Sequence, residues 1–94
     1  MSNNQYLELF LEESQEHIQN INRNLLLLEQ HPGDSEVINE VFRSAHTLKG
    51  IAGSMEYKTM TQLAHGMENI LDGARSGNLK ITPDIIDILF ECVD

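Results

Sequence analysis

The run His46-Thr47-Leu48-Lys49-Gly50-Ile51-Ala52-Gly53-Ser54-Met55 holds the residues best suited to chemistry in this chain of 94 residues. An imidazole with an uncrowded ring nitrogen is a competent nucleophile, and one helical turn sets Lys49 and Gly50 beside His46, with Gly53 a turn further on. A cation and bare backbone next to an imidazole point to phosphate. A second set lies further along, where Thr61, His65, Glu68 and Asp72 recur at three- and four-residue steps and so share one helical edge. Glu68, accepting a hydrogen bond from one ring N–H of His46, would hold the neutral tautomer whose other nitrogen keeps its lone pair exposed. Lys49 would offer its charge to an arriving phosphoryl group, and His65 a further hydrogen bond.

Four amphipathic helices are predicted to position these residues. Between Tyr6 and Glu29, Leu7, Leu11, Ile18, Ile21, Leu25 and Leu28 form one apolar stripe at helical period. His31-Pro32-Gly33-Asp34-Ser35 breaks that helix and offers N-caps for a second, starting near Ser35. The second stripe is Ile38, Val41, Phe42, Ala45, Leu48 and Ala52, and His46 falls about 120° from its centre, bordering the core and facing water. Gly50 and Gly53 share the His46 side; mid-helix glycine costs about 1 kcal/mol against alanine, and clearance around the imidazole is a reason to keep them.

The third stripe is Met60, Leu63, Ala64, Met67, Ile70, Leu71 and Ala74, closed by Ser76-Gly77-Asn78 with Gly77 as a left-handed cap. Thr82-Pro83-Asp84 opens the fourth helix, at Pro83. Ile85, Ile86, Leu89, Cys92 and Val93 are still in helical period where the sequence ends at Asp94. The expectation is therefore one domain over residues 1–94, cut within its fourth helix. Short connections between such segments predict an all-α, antiparallel up-and-down four-helix bundle.

Composition narrows the function classes. The net charge of −9, from 15 acidic and six basic residues, repels nucleic acid and anionic lipid, whose binding depends on lysine and arginine patches. No apolar run approaches the ~20 residues of a membrane span. The single Cys92 cannot close an internal disulfide, and Met1-Ser2-Asn3-Asn4-Gln5 lacks the pattern of a signal peptide, so a cytoplasmic protein is expected. The fragment is expected to be monomeric. His17 and His31 read as solvated, as do Glu8, Glu12, Glu13 and Glu16. Met60, Met67, Phe42 and Cys92 read as packing residues.

His46-Thr47-Leu48-Lys49-Gly50, Gly53-Ser54-Met55 and Leu63-Ala64-His65-Gly66-Met67-Glu68-Asn69-Ile70-Leu71 together resemble the histidine phosphotransfer domain at the N-terminus of CheA-type chemotaxis kinases. Phe10-Leu11-Glu12-Glu13-Ser14 and Leu25-Leu26-Leu27-Leu28-Glu29 extend the resemblance over nearly the whole chain. It implies that His46 takes the γ-phosphoryl of ATP onto Nε2 and passes it to an aspartate of a response-regulator receiver domain. Lys49, His65 and Glu68 carry over as supporting residues. The ATP and its magnesium would belong to a separate kinase domain of the parent protein, leaving this piece with no cofactor or metal of its own. A fifth helix, usual in such domains, is absent from the sequence.

Other classes remain open at this stage: a stand-alone phosphorelay protein, a metal site on His46, His65 and Glu68, or a purely structural bundle. Against the metal site, no His-x-x-x-His or Glu-x-x-His pair lies on one helix, and Lys49 sets a cation beside the would-be ligands. With no glycine-rich phosphate loop or acidic metal cluster, the chain on its own has no nucleotide site.

Overall fold

The computed structural model describes residues 3–93; Met1, Ser2 and Asp94, and with them the outer limits of the expected domain, lie outside the described residues. Four helices follow one another: α1 (Asn3–Gln30), α2 (Ser35–Ser54), α3 (Lys58–Arg75) and α4 (Pro83–Val93). At 1.5 Å per residue α1 is about 42 Å long. It therefore sets the long axis of a body measuring 44 × 20 × 20 Å. Each helix packs against its two neighbours in a closed square, α1 on α2 and α4, α3 on α2 and α4. The short connections make neighbours antiparallel.

Local chemistry explains the boundaries. Asp34 accepts hydrogen bonds at Oδ1 from the backbone N–H groups of Glu36 (3.1 Å) and Val37 (3.3 Å), satisfying two donors at the start of α2. Thr82 Oγ1 does the same for Ile85 N–H at the start of α4. α2 and α3 end in the same motif. After α2, Tyr57 N–H returns to Ala52 O and Glu56 N–H to Gly53 O; after α3, Asn78 N–H returns to Gly73 O and Gly77 N–H to Ala74 O. Both require a left-handed residue, supplied by Glu56 at φ 62° and Gly77 at φ 82°.

The core is a column of fully buried side chains, led by Ile21, Leu25, Leu28, Val41, Met67, Leu71 and Leu89. Two polar residues are buried with it. Ser44 accepts a hydrogen bond from Asn20 Nδ2 at 2.6 Å, pinning α2 to α1 two residues before His46. The Ser14 hydroxyl has no hydrogen-bond partner among the described residues.

Three residues of the expected stripes are exposed: Leu7 (38%), Leu11 (49%) and Leu63 (44%). Their helical phase is right, but α4 has 11 described residues, about 16 Å, and covers less than half the length of α1. An apolar groove among the described residues is bordered by Leu11, Met60, Leu63, Cys92 and Val93. On that stretch α1 instead buries Phe10 and Ser14, and the Phe10 ring stacks at 5.0 Å on Tyr57 of the α2–α3 turn.

Candidate phosphotransfer site

His46 stands on the water-facing edge of α2, its side chain 64% exposed, and Glu68 stands opposite on α3, its side chain only 13% exposed. The packing of α2 against α3 places them level, which spacing alone could not establish. His46 Nδ1 is 2.6 Å from Glu68 Oε2, and Lys49 Nζ donates to Glu68 Oε1 at 2.8 Å. One carboxylate thus holds both residues. Burial works to raise the Glu68 carboxyl, but hydrogen bonds from Lys49 and His46, with their charges, outweigh it and keep the group below its ordinary value of 4.5.

An ionised carboxylate can only accept, so the proton of a neutral His46 ring sits on Nδ1. Nε2 then carries the free lone pair, on the exposed side. Such a ring is oriented, solvent-facing and nucleophilic. When Nε2 gains a substituent the ring becomes cationic, and the adjacent carboxylate stabilises that charge.

The other expected residues are placed as follows. His65 is exposed on α3, one turn before Glu68, and makes no hydrogen bond or ion pair with the site. Gly50 and Gly53 lie on the same face of α2 as His46, and a Cβ built on either would meet no atom within 4 Å. Nothing inside the folded chain therefore demands glycine there; the clearance is available only to something arriving from outside. Among the described residues no group of three or more His, Cys, Asp or Glu is gathered closely enough to hold a metal ion.

One contact escaped the sequence reading. Phe42 is one turn before His46, and its ring lies nearly parallel to the imidazole, at 12° with centroids 6.3 Å apart. Arg75, from the end of α3, places its guanidinium 4.1 Å from the Phe42 ring centre. The spacing of Phe42 and His46 was a usable signal; Arg75, from another helix, left none.

Four helices in this order, with an exposed histidine fixed by a carboxylate of the neighbouring helix, define a phosphotransfer-type bundle, and comparison with known proteins agrees. The sequence profile of the Hpt domain matches residues 5–94, and the chain belongs to that family. It is 48% identical over 94 residues to the chemotaxis protein CheA of Bacillus subtilis (strain 168), covering all of this chain and 14% of that protein. It is 47% identical over 89 residues to CheA of Halobacterium salinarum, covering 95% of this chain and 13% of that protein. The chain thus spans about one seventh of the curated relatives it matches. Among solved structures, the CheA phosphotransferase domain from Thermotoga maritima superimposes with a TM-score of 0.95 at 49% identity, covering 99% of this chain and 89% of that one. No helix among the described residues is long and apolar enough to cross a membrane.

Proposed function

We propose that this domain is the phosphoryl carrier of a chemotaxis two-component system, with His46 as the residue phosphorylated. The observation that carries the reading is the 2.6 Å contact of His46 Nδ1 with Glu68, which leaves Nε2 as the open nitrogen of an exposed ring. In the first transfer the Nε2 lone pair attacks the γ-phosphorus of ATP; the N–P bond forms as the P–O bond to ADP breaks, and ADP leaves with the electron pair. The ring keeps its proton on Nδ1, against Glu68. In the second transfer a carboxylate oxygen of a receiver-domain aspartate attacks phosphorus, and the N–P electron pair returns to Nε2. Lys49, shared with Glu68 at rest, is near enough in sequence and space to offer its charge to the phosphoryl oxygens, and His65 supplies a donor from α3.

The domain supplies neither ATP nor magnesium. Both belong to the kinase domain of a longer, cytoplasmic histidine kinase, in keeping with relatives that extend well beyond the matched segment. Incubation with labelled ATP and a CheA-type kinase lacking its own phosphotransfer domain tests the reading. The chain takes up an acid-labile, base-stable phosphate; His46→Gln abolishes uptake with helicity unchanged, and Glu68→Ala slows it by up to about a hundredfold through loss of ring orientation. Undiminished labelling of His46→Gln would sink the assignment.

A further inference from the structure

On the side of His46 toward the start of α2, a groove of about 700 Å³ runs between α2 and the turn that follows α3. Its charged lining is Arg43, Arg75 and Lys80, with Asn39 and Phe42 on the same wall and no acidic residue among the lining side chains. In a chain with 15 acidic and six basic residues, three of the six cations border this one groove. Arg43 is held by Glu40 at 2.7 Å, but Arg75 is only loosely paired with Asp72, at 3.9 Å, and Lys80 has no ion pair among the described residues. Two cations are therefore available to a partner.

The groove begins one ring away from the phosphoacceptor, since Phe42 both lines it and stacks on His46. A protein interface of ordinary size buries about 800 Å² on each partner, a disc of about 16 Å radius. Centred on His46, such a disc takes in Phe42 and Asn39, about 6 and 10 Å back along α2. The opposite end of the face has no such bias, as Glu56 lies beside Lys58 there.

The geometry points to this groove as the docking surface for the acidic face of the receiver domain that accepts the phosphoryl group, an inference that rests on the carrier role proposed above. Two partners visit His46, and they differ in how they arrive. A kinase domain in the same parent protein is tethered, so its encounter is set by effective concentration and needs little steering. A response regulator is a separate molecule that must find a domain of charge −9, made more negative by a phosphoryl group whose charge outweighs that of the cationic ring it sits on. Its acceptor is a carboxylate. A local positive patch beside His46 offsets that repulsion and raises the association rate.

The test uses the 94-residue chain phosphorylated on His46, by the kinase or by phosphoramidate, and an isolated receiver domain, with second-order transfer rates read at low and high ionic strength. Lys80→Gln with Arg75→Gln is compared with Lys58→Glu, which makes the same change in net charge at the far end of the face. The groove variant transfers at least about fivefold more slowly at low ionic strength and loses most of the salt dependence, while Lys58→Glu stays within about twofold of the parent chain. Equal effects of the two variants, no effect of either, or a loss confined to phosphorylation by the kinase would overturn the inference. Failure of His46 to take up phosphate from either donor would instead reject the carrier role.

Discussion

At the scale of single residues, Glu68 does two jobs with its two oxygens: Oε2 orients the ring of His46 and Oε1 parks Lys49. Because the folded chain favours its ionised form, its contribution to stability is complete above the unfolded value of 4.5 and is lost as pH falls through the lower folded value. Glu68→Gln should therefore melt at a lower temperature than the parent chain at neutral pH, and the gap should narrow as pH falls below 4.5. A gap of constant size across that range would mean that the carboxylate's charge is not what the fold uses. The residue types of this site were legible in the sequence, because His46, Lys49, Gly50 and Glu68 all sit on helical edges that periodicity predicts. Their relative height was not, since it depends on how deeply α2 slides along α3. Pins such as Asn20 to Ser44, which fix neighbouring helices in register, come from side chains with no periodic signature.

At the scale of elements, the ends of α2 and α3 are a matched pair that differ in one respect. Both helices close with the same two returning hydrogen bonds, yet the left-handed position is Gly77 in one and Glu56 in the other. A side chain at positive φ costs about 1 kcal/mol or more. Glu56→Gly should raise the midpoint of thermal unfolding by roughly 4 °C or more, whereas Gly77→Ala should lower it by a similar amount. Circular dichroism at the helix band reads both, and an unstable Glu56→Gly would show that the glutamate side chain makes a compensating contact. The cap at Gly77 was readable from the sequence because glycine announces it. The cap at Glu56 was hidden by a residue type that does not. Leu7, Leu11 and Leu63 have a similar explanation: a periodic stripe tells which way a helix faces, but burial also needs a partner at that height, and the described part of α4 stops short of them.

At the scale of the whole molecule, a net charge of −9 sits on a body only 20 Å across its short axes. Self-repulsion of that charge works against the folded state and is screened by salt, whose Debye length falls from about 30 Å at 0.01 M to about 8 Å at 0.15 M. Melting temperature should rise by a few degrees over that range, and a fall would show that the ion pairs at Glu40 and Glu68 outweigh the surplus. On the function proposed above, the same body carries a phosphoryl group on one ring nitrogen of His46 and releases it. That claim is tested most directly by NMR of the phosphorylated chain with ¹⁵N-labelled histidine, following coupling of phosphorus to the imidazole nitrogens. Phosphorus should couple to Nε2 of His46 while Nδ1 keeps its proton against Glu68; a phosphoryl group on Nδ1, or on any other side chain, would contradict the account.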